Sequence, residues 1–185
     1  MTKAPISLQD LRRRMYRKAK SEKTHRFWGL FVHIAKTETL LAAYRQAKSN
    51  GGAPGIDGQS FADIEAEGLA LFLESLRDDL QTGRYQPQPN RRVDIPKDKG
   101  KVRTLQIPCI RDRVVQGALK LVLEAIFEAD FCPNTYGFRP KRSPHRALAE
   151  VRRSVMRRMS TVIDVDLTRY FDNIRHSVLL EQIAK

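Results

Sequence analysis

Between residues 91 and 107 the hydrophobic pattern of this 185-residue chain leaves helical spacing and begins to alternate, and this switch constrains the fold most. Val93 and Ile95 alternate with polar residues, Lys97-Asp98-Lys99-Gly100 supplies a turn, and Val102, Leu105 and Ile107 continue as a second strand. Two such runs joined by a glycine-containing turn read as a β-hairpin. It carries Arg91, Arg92, Lys97, Lys101 and Arg103.

On either side the pattern is helical. Ser7-Leu8-Gln9-Asp10 resembles a helix N-cap with an acidic third residue, leading into a basic helix. Phe27, Leu30, Phe31 and Ile34, then Leu40, Leu41, Tyr44 and Ala47, recur at helical spacing. The Gly/Pro-rich stretch from Asn50 to Gly58 ends helix, because those residues favour loops. One amphipathic helix is expected across Phe61 to Leu80, another from about Arg111 to Glu128, and a basic one from about Ser143 to Met156. A buried strand is expected at Thr161 to Val165 and a short helix near Val178 to Ile183. The expected class is α+β, mainly helical with a β-hairpin.

The net charge of +13 is the footprint of a polyanion binder. Arg12, Arg13, Arg14, Arg17, Lys18, Lys20, Lys23 and Arg26 crowd the N-terminus, with Tyr16, Phe27 and Trp28 nearby. That mixture suits RNA backbone contact with some stacking; a solvated helix face is the alternative. Cys109 and Cys132 form no CxxC, so a zinc site or disulfide framework is not expected. No apolar run reaches membrane-spanning length, and a cytoplasmic protein with reduced thiols is expected, with no membrane partner.

The stretch from Val162 to Asp172 bears on chemistry. An apolar β-branched run ends in carboxylates and is followed by Tyr170 and Phe171. Asp164 and Asp166 are two apart and would share one face of a strand, so either can be a metal ligand and the other a surface or ion-pairing residue. Lys97 and Arg103 flank the hairpin turn and could reach one triphosphate from two strands, Arg bidentately and Lys as a point charge. The loop at 51–58 lacks GxxxxGK(S/T) and follows no strand, which argues against a P-loop.

An ordered set of segments resembles the early motifs of group II intron reverse transcriptases. They are Gly51 to Gly58, Ile95-Pro96-Lys97 with Arg103 to Pro108, Arg111 to Gln116, Asn134 to Ser143, and the block beginning at Asp166. The resemblance covers residues 50–185, and the first fifty residues are similar to that family's basic extension only in character. It implies a right-hand polymerase: a basic extension over 1–50, fingers over 51–160, and the start of the palm, its first strand and helix, over 161–185. The family pattern Asp-(Ile/Leu)-x-x-(aromatic)-Phe-Asp places the catalytic, metal-bridging carboxylate at Asp166 and leaves Asp164 in a supporting role. The Leu167 carbonyl is a further metal donor, since backbone oxygens suit hard cations. By similarity Phe171 is the steric gate against ribonucleotides, and Lys97 and Arg103 clamp the dNTP triphosphate. Arg12, Arg13, Arg17, Lys18, Arg92, Lys101, Arg139 and Arg142 are the expected nucleic-acid contacts.

The implied activity is RNA-directed DNA synthesis with Mg²⁺, using an intron RNA template, a DNA primer and dNTPs, together with maturase assistance to splicing. This sequence departs from the pattern by having no Tyr-x-Asp-Asp, so the 185-residue chain alone is expected to be inactive, with possible self-association through apolar surface. A non-catalytic RNA-binding or splicing module is the alternative, as is a related CRISPR-associated or diversity-generating reverse transcriptase.

Overall fold

The computed structural model describes residues 6–97, 101–168 and 170–184, with the backbone alone for Lys97, Lys101 and Asp172. Two compact units follow each other along the chain, Met1–Asp130 and Phe131–Lys185.

The first unit is built on one helix. Helices α1 (Leu8–Ser21), α2 (Leu30–Ile34), α3 (Thr37–Ser49), α4 (Phe61–Glu67) and α5 (Leu69–Gln81) precede the hairpin β1 (Arg91–Lys97) and β2 (Lys101–Ile107), and α6 (Ile110–Phe127) follows it. Ile110, Val114, Ala118 and Val122 of α6 recur every fourth residue and have no solvent exposure. Helices α1, α2 and α3 pack on α6, and Leu40, Ala43, Tyr44, Ile64, Leu73 and Leu76 complete the core around this stripe. Burying a large aliphatic side chain contributes about 1.5–3 kcal/mol, so Ile110, Val114 and Val122 stabilise this unit substantially. The α3–α6 approach is set by small residues. A Cβ placed on Gly117 would lie 3.1 Å from Ala43 Cβ.

Local signals set the helix starts. Ser7 caps α1 by accepting from the Asp10 N–H at 3.2 Å. Ser60 and Asp63 form a full capping box on α4, and the Ser60 hydroxyl and N–H hold the Asp63 carboxyl below the usual range. The expected single helix from Phe61 to Leu80 is instead two helices. Gly68 has φ +112°, a conformation open to glycine, and there the chain ends α4 and restarts as α5.

The hairpin forms as the alternation predicts. Its antiparallel register pairs Arg91 with Ile107, Val93 with Leu105, Ile95 with Arg103 and Lys97 with Lys101. Thr104 Oγ1 donates to Asp94 at 2.6 Å across the strands. Residues 98–100, which carry the expected turn, lie outside the described residues.

The base of the hairpin is fastened to α6 by a buried carboxylate. Asp112 is 3 % exposed, and its two oxygens accept from the Tyr85 hydroxyl at 2.5 Å and the Gln88 N–H at 3.1 Å. The Cys109 thiol donates to the Gln88 side chain at 3.4 Å. Gln88 lies between Pro87 and Pro89, whose fixed φ stiffens the approach to β1. Arg111 lies over the Tyr85 ring and pairs with Asp79.

The second unit holds α7 (Pro144–Met156), a short 3₁₀ turn at Phe171–Asn173, and α8 (His176–Ala184). Ser143 caps α7, and Pro144 opens it. The strand expected at Thr161 to Val165, and with it the first strand of the palm, does not form. Residues 161–167 carry no helix or strand, and Val162, Ile163 and Val165 are at least 76 % exposed. A strand exists only by pairing, and no described segment pairs with this one. Among the described residues, no helix is long and apolar enough to cross a membrane.

Tyr85→Phe should destabilise the first unit by about 1–3 kcal/mol in urea denaturation, because Asp112 stays buried with one donor fewer. Burial, then the bond to Asp112, raises the Tyr85 pKa above the usual tyrosine value of about 10. The unfolded chain therefore ionises first, and stability present below pH 10 should be lost as pH rises beyond it. The loss should be smaller in Tyr85→Phe. Gly55→Ala should cost about 1–3 kcal/mol by the same assay, since its Cβ would lie 2.5 Å from Cys109 Cα.

Candidate nucleic-acid and nucleotide interface

Within the first unit, the candidate cations divide by what they touch. Arg12 on α1 reaches α6, where its guanidinium donates to Glu124 at 2.6 Å in a half-buried pair. Arg13 faces solvent with Asp10 at 3.7 Å, and Lys18 pairs with Glu22 at 2.5 Å. Arg17 is exposed. Helix periodicity explains the division: Leu11, Met15 and Ala19 turn inward, which carries Arg12 towards α6 and Arg13 and Arg17 outward.

On the hairpin, Arg92 and Arg103 are both exposed. Arg103 stands opposite Ile95, and Lys97 opposite Lys101. The side chains of Lys97 and Lys101 lie outside what is described, so the expected meeting of Lys97 with Arg103 has no side-chain geometry here. The Nε of Arg91 is buried without a hydrogen-bond partner.

The glycine-rich loop before α4 is bound to the foot of α6. Arg113 donates to the Pro108 carbonyl at 2.9 Å and to the Ala53 carbonyl. Gly55 lies directly on buried Cys109, whose thiol pKa burial pushes up. Gly51 and Gly52 at the start of the loop are exposed.

In the second unit, Asp164, Asp166, Leu167 and Phe171 are all exposed. Phe171 begins the 3₁₀ turn, 75 % exposed, with the Tyr170 ring edge-on at 5.4 Å. Among the described residues no three His, Cys, Asp or Glu side chains come together to hold a metal ion. Asp166 and the Leu167 carbonyl do not make a divalent-cation site by themselves, for hard cations take six or more oxygen ligands. Arg139 donates to the carbonyls of Cys132 at 2.7 Å and Thr135 at 2.9 Å. Arg142 lies over the Tyr136 ring at 5.5 Å.

Sequence reasoning missed Tyr85 and Asp112. The available signal was a carboxylate between two arginines on a helix that otherwise reads as core, with Tyr85 just before a Pro-Gln-Pro stretch.

Residues 95–185 match the family described as reverse transcriptase (RNA-dependent DNA polymerase). The match opens inside β1 and takes in β2, α6 and the second unit. Protein YkfC of Escherichia coli is 39 % identical over 184 residues, covering 96 % of this chain and 48 % of the relative. The group II intron-encoded protein LtrA of Lactococcus lactis is 34 % identical over 157 residues, 83 % of this chain and 25 % of LtrA. Over residues 95–185 the chain thus carries the reverse transcriptase match, and over most of its length it is similar to a group II intron-encoded protein. The putative COX1/OXI3 intron 1 protein of Saccharomyces cerevisiae is 31 % identical over 152 residues, 82 % of this chain and 18 % of that protein. The chain spans about half the length of YkfC and a quarter or less of the other two. Because these alignments cover most of the chain, the similarity to these relatives extends over the helical part that precedes Ile95.

Arg12→Ala should lower stability by about 1 kcal/mol, measured by chemical denaturation, through loss of the half-buried contact to Glu124. Arg17→Ala, which removes an exposed side chain, should stay within about 0.5 kcal/mol of the parent.

Proposed function

We propose that this chain is the N-terminal part of an RNA-directed DNA polymerase of a group II intron, with intron RNA binding and a maturase role. The observation that carries the reading is the similarity to intron-encoded proteins over most of the chain. A basic chain with arginines on a projecting hairpin supports it chemically, because Arg103 and Arg92 offer charge to phosphates in water.

In this reading the hairpin and α6 are fingers. Arg103 and Lys97 hold the triphosphate of a dNTP, and Lys101 and Arg92 contact the template backbone. The exposed ring of Phe171 excludes a 2′-hydroxyl from the sugar site. Arg13, Arg17 and Lys18 on the outer side of α1 meet RNA phosphates, while Arg12 orients α1 on α6. Arg139 and Arg142 brace a basic loop of the second unit that offers its own nucleic-acid contacts. Asp166, with the Leu167 carbonyl, is the proposed contribution to binding of a divalent ion, expected to be Mg²⁺. The ion would supply charge stabilisation at the reacting phosphate. The substrates are an RNA template, a DNA primer and dNTPs.

A splicing role, which is the second reading when it stands without catalysis, is supported by one similarity. Nuclear intron maturase 1 of Arabidopsis thaliana is 37 % identical over 83 residues, 37 % of this chain and 12 % of that protein.

Two assays test what both readings share, nucleic-acid binding and the inactivity of this chain. Filter binding of structured RNA should weaken steeply with salt, log affinity falling linearly with log salt concentration, because phosphate contacts release counterions. Primer extension by the purified 185-residue chain should be undetectable, as no Tyr-x-Asp-Asp occurs in it. Salt-independent binding, or none, would refute the nucleic-acid reading, and magnesium-dependent extension would refute the inactivity.

A further inference from the structure

The loop that opens the second unit holds a phenylalanine where physics disfavours one. Phe138 is 97 % exposed. Its φ is +55°, a left-handed conformation that costs a bulky residue energy. That conformation falls on Phe138 and not on Gly137 beside it, which would tolerate it. Lys141, three residues on, is also left-handed at φ +58°. Arg158 is the remaining described non-glycine residue of this kind, and there the helix end explains it. The N–H groups of Arg158 and Met159 bond back to Val155 and Ser154 at the close of α7. No helix end accounts for Phe138.

The loop is braced in this shape. The Arg139 guanidinium donates to the Cys132 and Thr135 carbonyls and lies over the Phe131 ring at 5.1 Å. Arg142 covers Tyr136. Arg146 donates to the Lys141 carbonyl at 3.2 Å. The neighbouring aromatics Phe131 and Tyr136 thus have guanidinium partners, whereas the ring of Phe138 stands in water. From Phe131 to Ala149 the sequence contains Arg139, Lys141, Arg142 and Arg146 and no carboxylate. An exposed flat ring held among cations suits a partner that is flat, apolar and anionic at once.

From this geometry we propose that Phe138 is a stacking residue for an unpaired nucleobase of single-stranded RNA or DNA, with Lys141 meeting an adjoining phosphate. This rests on the nucleic-acid reading above and adds a site on the loop between Phe131 and Ser143. The base covers the ring and the phosphate takes the charge of Lys141, so one nucleotide satisfies both exposed groups. A single strand is the favoured form, because a duplex keeps its base faces stacked on each other.

The test uses the full 185-residue chain and a fluorescein-labelled single-stranded RNA 12-mer, with anisotropy read across a salt series. Phe138→Ala should weaken binding about 5- to 140-fold, the range of one lost base–aromatic stack. The salt slope should not change, since no charge is removed. An abasic 12-mer of equal charge should bind the parent no better than the intact 12-mer binds Phe138→Ala. Phe138→Trp should retain affinity, with indole emission quenched on binding relative to the parent, whose single tryptophan is Trp28. Phe138→Gly should bind as weakly as Phe138→Ala yet raise Tm by about 1–4 °C, because strain is relieved.

Binding of Phe138→Ala within twofold of the parent, or a lowered Tm for Phe138→Gly, would overturn the stacking role while leaving the broader reading intact. Loss of self-association in Phe138→Ala with unchanged RNA affinity would assign the ring to a protein contact and overturn it as well. A parent chain that binds no nucleic acid at low salt would sink both readings together.

Discussion

A carboxylate withdrawn from water inside a helical core costs several kcal/mol unless its oxygens find donors, and Asp112 is in that position. Its donors come from Tyr85 and Gln88, the segment that enters β1. The same contact that satisfies the buried charge therefore fixes where the hairpin leaves the body. The hairpin's return is fixed too, since Cys109 sits between β2 and α6 and is bonded to Gln88. Everything the hairpin presents to solvent, Arg92 and Arg103 included, is referenced to α6 through this knot.

Charge is distributed to match. The chain carries a formal excess of 13 positive charges, and some cations serve the fold. Arg12 with Glu124, Lys48 with Glu65, Lys23 with Asp130 and Arg111 with Asp79 tie segments far apart in sequence. The exposed pairs among them, Lys48 with Glu65 and Lys23 with Asp130, are each worth little. Arg13, Arg17, Arg92 and Arg103 face solvent, and these can meet phosphates without dismantling the fold. A residue's basic character alone does not distinguish the two groups; its direction from the helix or strand does.

The second unit follows a different logic. Neither α7 nor α8 contains a buried residue, and Leu148, Val151 and Val155 on α7, like Leu179, Leu180 and Ile183 on α8, are exposed. The segment carrying Asp166 lacks a partner strand among the described residues. Its chemistry is legible only from the motif, because the geometry that would focus a carboxylate on a cation is not assembled there.

Most helices and the hairpin were readable from the sequence alone, because period and capping are local properties: Ser7 caps the helix that follows, and alternating Val93 and Ile95 form a strand. The similarity to group II intron reverse transcriptases was readable for the same reason, since ordered short motifs survive without their three-dimensional context. The break at Gly68 was not, because a glycine inside a helical pattern either is tolerated or ends it, and packing chooses. The strand at 161–165 was misread, since β-propensity becomes a strand only where a partner supplies hydrogen bonds. Tertiary structure alone decided that Arg12 points inward to Glu124, that Asp112 is a buried anchor, and that Phe138 stands in water in a left-handed conformation. Each depends on which distant groups meet, and residue type and spacing do not encode that.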